Sequence, residues 1–257
     1  MLDRFQHRMQ HRSAALLFAI DGRLDRILKL WLLLAGLAAT ARITFTPNPV
    51  PAAGLSTFVS YLLLAVAPFA STLLALHWFS DEQHLRQPKT RFARVGRWRQ
   101  LSDSEMRGHP LYGSSGMMVS LLVGMMLNVP VRAVEYLAAM PPIPIDSPLW
   151  LSTLHLAMTV DVVLFSSLYM IAFVAALRRV PMFPRLLVAI WIGDLAMQLF
   201  TAKLVTQAGG LPAGVAQALH DLLDGNVKKT LISVALWLPY LLLSERVNVT
   251  YRGRAPA

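Results

Sequence analysis

Lys228–Arg252, KKTLISVALWLPYLLLSERVNVTYR, is the stretch whose reading decides the fold. Two lysines open it, Thr230 to Ser244 carries no charge, and Glu245-Arg246 closes the run. A helix needs about 20 apolar residues to cross a hydrocarbon core of about 30 Å. This run is shorter, but Lys228 and Lys229 extend its usable length because long basic side chains reach out to the interface. Taken alone, the stretch also fits a buried helix of a large soluble domain. The rest of the chain excludes that. Of 257 residues 55% are hydrophobic and 15% charged, whereas soluble domains carry about 25% charged residues. Too few polar residues remain to cover a soluble core, so lipid is the solvent.

Composition narrows the chemistry further. The chain has no cysteine, which excludes disulfides, thiolate metal sites and thiol nucleophiles. The net charge of +10 reads as a bias between two membrane faces, and no nucleic-acid partner is inferred from it.

Working outward from the anchor stretch, the pattern predicts an all-α polytopic membrane bundle. It has six transmembrane helices plus short amphipathic interfacial helices. The spans are about 28–45, 55–79, 114–136, 149–177, 186–205 and the anchor stretch itself. Residues 1–29 form a basic amphipathic segment, with Leu2, Phe5, Met9, Leu16, Leu17 and Ile20 spaced mostly for one helix face and arginines between them; the pattern fits a helix on an anionic membrane surface and, equally, a frayed, solvated tail. A two-helix extension, 30–79, follows, then a basic loop, 80–108, a four-helix domain, 109–252, and a tail, 253–257. In the loop Arg91, Arg94, Arg97 and Arg99 surround Trp98, a pattern suited to anionic headgroups. Residues 211–227 read as a separate amphipathic helix started by Pro212, on which His220 and Asp224 share a face without a third ligand. No metal and no cofactor is expected.

Charge orients the bundle. With the amino terminus inside, nineteen of the 24 lysines and arginines fall on the cytoplasmic side. Only Arg42, Arg132, Lys203, Lys228 and Lys229 fall outside. The positive-inside rule then predicts both termini in the cytoplasm.

Polar residues inside spans are the candidate functional residues, because a carboxylate at the bilayer centre costs about 2.5–3.5 kcal/mol on insertion scales. Asp161 lies roughly 18 Å into its helix and Asp194 roughly 12 Å in from the opposite face, at a rise of about 1.5 Å per residue. That puts both at nearly one level. Each is expected either to titrate or to hydrogen-bond a neighbour such as His155 or Thr201. Arg132, Glu135 and Lys203 are expected nearer the outer face, as a separate cluster. Met117, Met118, Met125 and Met126 read as adaptable packing. Pro239 is expected to bend the last helix, with Trp237 and Tyr240 on one face and Arg246 at the headgroups.

Residues 109–252 resemble a family of uncharacterised bacterial membrane proteins, the domain of unknown function 2569. Trp237, Pro239 and Tyr240, then Ser244, Arg246 and Val247, then Thr250 with Tyr251, are similar to its closing pattern. Phe183-Pro184-Arg185 after a basic pair resembles its central turn, and Pro130-Val-Arg132 the end of its first helix. Gly113-Ser-Ser-Gly116 and Glu245 depart from the pattern, and the first two spans are additional. The resemblance implies a multi-pass protein of the bacterial inner membrane and no settled activity.

No phosphate loop, His-Glu-x-x-His pair or nucleophile elbow is present in the sequence, so no enzymatic role is expected. Two readings stand. One is a non-enzymatic helper, sensor or assembly partner that meets another membrane protein through polar and small-residue contacts such as Ser166, Ser167 and Gly193. The alternative is a small transporter or proton-coupled channel built on the buried carboxylates.

Overall fold

A computed structural model describes residues 13, 15–46, 55–80, 87, 96–144 and 146–257. Residues 15–21 are helical. They precede α1 (Leu24–Thr44) and α2 (Leu55–Trp78), then β1 (Trp98–Gln100) and α3 (Asp103–Gly108). The remaining elements are α4 (Met117–Ala139), α5 (Leu149–Leu177), α6 (Phe183–Gln207), α7 (Ala213–Leu243), α8 (Glu245–Arg252) and β2 (Arg254–Pro256). Among the described residues, five helices are long and apolar enough to cross a membrane, and six if α7 and α8 count as one bent span. The predicted all-α membrane bundle is the observed architecture. Its lipid-facing surfaces carry large apolar side chains, including Leu199, 70% exposed, and Ile232, 68% exposed. In water such a surface would be a binding or aggregation site; in lipid it is the solvated face.

Length follows composition. At about 1.5 Å per residue, the 21 residues of α1 give roughly 31 Å, one hydrocarbon core. The 31 residues of α7 give roughly 46 Å by the same rise, so its first turns stand clear of the core. This corrects the sequence reading of 211–227 as a separate helix. Pro212 is the N-cap, but the helix runs unbroken through Gly225-Asn226 into the span. One glycine costs only about 1 kcal/mol in a helix interior, and no proline or cap falls between Asp224 and Lys228.

The last helix is broken beyond Pro239, the residue at which the sequence predicts a bend. It continues through Pro239, and the sharp 70° bend falls at Ser244. Trp237 and Tyr240 do share a face, with rings edge-on at 5.9 Å. Beyond the bend α8 lies across the end of the bundle and closes at Gly253, whose left-handed φ of 58° suits a residue without a Cβ. β2 then pairs antiparallel with β1, Trp98 opposite Pro256 and Gln100 opposite Arg254. α3 beside this ribbon starts with a capping box: Ser102 accepts from the Glu105 N–H, and Glu105 accepts from the Ser102 N–H.

α5 is the centre. α2, α4 and α6 pack against it, α7 packs on α6, and α1 leans on α2 and α4. The two amino-terminal spans are thus built into the bundle. One apolar core, with Leu122, Phe173, Phe183 and Tyr251, fills the α8 end; a second, with Tyr61, Tyr136, Leu154 and Val205, fills the other end. A polar layer lies between them.

Candidate functional site

Four helices each bring a pair of residues four apart to this layer, the spacing that stacks side chains on one helix face. α4 brings Asn128 and Arg132, α5 Asp161 and Phe165, α6 Asp194 and Gln198, and α7 Asn226 and Thr230. Arg132 is the hub. One guanidinium nitrogen donates to Asp161 Oδ2 at 3.0 Å, the other makes a short ion pair with Asp194 Oδ2, and Nε donates to Asn128 Oδ1 at 3.0 Å. Cζ of the guanidinium lies 5.3 Å from the Phe165 ring centroid and 5.8 Å from that of Tyr169, so aromatic faces replace the water a cation would keep. Gln198 Nε2 donates to Asp161 Oδ1 at 3.1 Å and to Asp194 Oδ1 at 3.3 Å, and Thr230 donates to Asp194 Oδ2 at 3.3 Å. Asn226 in turn donates to Gln198 at 3.5 Å. Asp194 is 1% exposed, Asp161 9% and Arg132 12%, so all three charges are out of water and are stabilised by one another.

The common level of Asp161 and Asp194 is as predicted. Their partner is not. Arg132 leaves the outer cluster assigned to it and joins them. Helical side chains lean toward the helix amino terminus, and the amino terminus of α4 is at the α8 end of the bundle. A Cα in the far third of the span therefore delivers its guanidinium back toward the middle. Glu135 instead pairs with Lys229 at the rim, and Lys203 is exposed. His155 and Thr201, the expected partners of the aspartates, are both buried. His155 belongs to a second polar layer. There Tyr136 OH bonds Thr159 Oγ1 at 2.7 Å and meets His155 Nε2 at 3.4 Å, and Thr159 donates to Ser60 at 3.2 Å. Tyr61 closes that layer by donating to the Met140 carbonyl at 3.1 Å.

The third polar cluster gathers the motif residues. Arg246 is buried, which corrects its expected place at the headgroups: it donates to Ser115 Oγ at 2.7 Å and to the Leu111 carbonyl at 3.2 Å. Thr250 Oγ1 accepts from the Gly113 N–H at 3.0 Å. Tyr251 OH donates to the Ala176 carbonyl at 2.8 Å, and its ring lies 5.1 Å from that of Phe183. Pro184 follows in the first turn of α6, and Val247 is fully buried beside them. These side chains bond the carbonyls of the 111–113 turn and add a second donor to the Ala176 carbonyl at the α5 carboxyl end, which also accepts from the Arg179 N–H.

Of the proposed headgroup residues, Arg91 and Arg94 lie outside the described residues. Trp98 pairs within the ribbon and carries the Arg254 guanidinium over its ring at 5.1 Å, and Arg99 pairs with Glu105 at 3.0 Å. The Glu105 carboxyl is held down at about 2, first by the Ser102 N–H and then by Arg99. Asp224 pairs with Lys228 four residues on, and among the described residues no three His, Asp or Glu side chains come together as metal ligands. Ser166 Oγ is buried on α5 with no hydrogen-bond partner among the described residues, and Gly193 lies against the Phe165 ring.

No protein-family model, no curated protein and no solved structure matches the chain.

Proposed function

We propose that the protein is a non-enzymatic multi-pass membrane protein that acts as a helper, sensor or assembly partner for another membrane protein. The observation that carries this reading is the saturation of its intramembrane charges. Both carboxylates are engaged by Arg132 and Gln198, Asp194 also by Thr230, and the void that touches Arg132 and Asp161 measures only about 20 Å³, room for roughly one water. Such a cluster ties four helices together; a permeation path needs a connected polar cavity. The lipid bilayer and its anionic headgroups are the immediate partners. The chain is placed in the bacterial inner membrane with both termini cytoplasmic, supported by the nineteen-to-five charge split. The kinship of residues 109–252 with the domain of unknown function 2569 is part of the proposal, supported by the convergence of Phe183, Arg246, Thr250 and Tyr251 on one cluster.

One observation favours the alternative, a proton-coupled path: a single guanidinium faces two carboxyls, so the site has a place for one proton. Proteoliposomes distinguish the two. Under an imposed pH gradient, parent protein and Asp161→Asn are expected to leak protons at the same rate as empty vesicles. Flux through the parent that Asp161→Asn abolishes overturns the helper reading.

A further inference from the structure

Beneath α8, between α6 and α7, lies a cavity of about 390 Å³, within the size range of small-molecule sites. Its lining divides into two ends. Arg185, Arg252 and Arg254 line one end; Val188, Ile192 and Leu238 form the wall that continues along the α6–α7 seam. No Asp or Glu is among its described lining residues. Ile192 is 64% exposed on the lipid side and lies seven residues, roughly 10 Å at 1.5 Å per residue, along α6 from Arg185. The cavity thus has a cationic head at the bundle end and an apolar arm that opens toward acyl chains.

Two of the three arginines, Arg252 and Arg254, are positioned by contacts of α8 and the ribbon. Asn248 Oδ1 accepts from Arg252 at 2.9 Å and from Arg254 Nε at 2.7 Å, and Trp98 packs under Arg254. One asparagine and one indole therefore hold two like charges side by side. Such an arrangement is stabilised by an anion with several acceptor oxygens, which guanidinium forks bind in pairs. α8 and its neighbours lie beyond the span, and there Arg252 is held down to about 10 by burial and by the guanidinium groups of Arg254 and Arg185.

We propose that this cavity is a binding site for an anionic phospholipid, its phosphate between Arg185, Arg252 and Arg254 and an acyl chain along Val188, Ile192 and Leu238. The occupant is a lipid and not a soluble phosphate because the apolar arm is continuous with the cationic end. The site is independent of the helper reading above.

The test uses the purified full-length protein in a neutral detergent, with thermal unfolding followed during titration with phosphatidylglycerol, phosphatidylcholine or inorganic phosphate. Ligands that bind only the folded state raise the transition temperature with concentration. Phosphatidylglycerol alone is expected to protect. Arg185→Gln is expected to weaken that protection at least about tenfold, the weight of a lost hydrogen bond to a charged group. Arg178→Gln removes the same charge from an exposed residue outside the cavity, and is expected to cost no more than about fivefold, the share of long-range attraction. Ile192→Trp keeps every guanidinium and narrows the apolar arm, and is expected to weaken protection on the order of tenfold. Equal losses in Arg178→Gln and Arg185→Gln, equal protection by phosphatidylcholine, or protection that survives both Arg185→Gln and Ile192→Trp overturns the proposal. Protection by inorganic phosphate as strong as that by phosphatidylglycerol overturns the lipid as occupant.

Discussion

Removing Arg132 is the sharpest test of the central polar layer. Arg132→Met keeps an apolar stem and takes away the cation that, among the described residues, bonds both Asp161 and Asp194. Two carboxyls, 9% and 1% exposed, then remain without a counter-charge. Breaking a buried ion pair by deleting one partner costs about 3–5 kcal/mol. Removing every charge of the cluster has a different outcome, since whole buried ion groups are often replaced at little cost or with gain. In Arg132→Met/Asp161→Asn/Asp194→Asn, the new amides can still bond Gln198 and Thr230. The single variant is therefore expected to lose about 3–5 kcal/mol of unfolding free energy and the triple variant to recover most of it. The measurement is the folded fraction as sodium dodecyl sulfate is titrated into the mild-detergent protein. A single variant within about 1 kcal/mol of the parent, or a triple variant as unstable as the single, refutes the claim that charge pairing closes this layer.

Further outcomes follow from the other clusters. Tyr251→Phe removes the hydroxyl shared by the Ala176 carbonyl and Ser114 and is expected to cost about 1–3 kcal/mol by thermal unfolding; Tyr251→Ala, which also opens a cavity beside Phe183, costs about 3–5 kcal/mol. Arg246→Glu sets a carboxylate against the Leu111 and Gly113 carbonyls and is expected to abolish accumulation in the membrane; unchanged levels would give the motif to a partner instead. Glu105, ordinarily at 4.5 and here at about 2, steadies α3 above pH 4.5 and loses that contribution as pH falls toward 2; backbone exchange at Glu105 should rise over that interval, and a flat profile argues against the capping box. For topology, cysteines at exposed Asp146 and Gly209 are expected to react from outside intact cells and one at exposed Asp103 not to; reaction at Asp103 inverts the orientation. A cysteine at Ala255 is a poor probe, because that residue is 7% exposed.

The bundle was legible in the sequence because a membrane helix announces itself by length and apolarity alone. The site was half legible. Asp161 and Asp194 are charges deep in apolar runs, and depth along a helix is countable. Arg132 was misplaced because the count follows the backbone, while its side chain leans back by several ångströms. Gln198, Asn226 and Thr230 carry no charge and drew no notice, though each is one of a polar pair four apart, and that recurrence on three spans, with Asp161 alone on a fourth, was a usable signal. Arg246 is harder. A short polar helix after a span looks the same whether it floats among headgroups or caps the bundle, and only the carbonyls of the 111–113 turn, remote in sequence, distinguish the two.

The distribution of the three charges over α4, α5 and α6 bears on how the chain is made. Each of these helices on its own would bring a residue costing about 2.5–3.5 kcal/mol into lipid. α4 and α5 are joined by only nine residues, 140–148, so they can leave the insertion machinery as a hairpin with Arg132 already facing Asp161. α6 then carries Asp194 to a guanidinium that is waiting for it. The order of synthesis thus spares each charge a solitary stay in the bilayer.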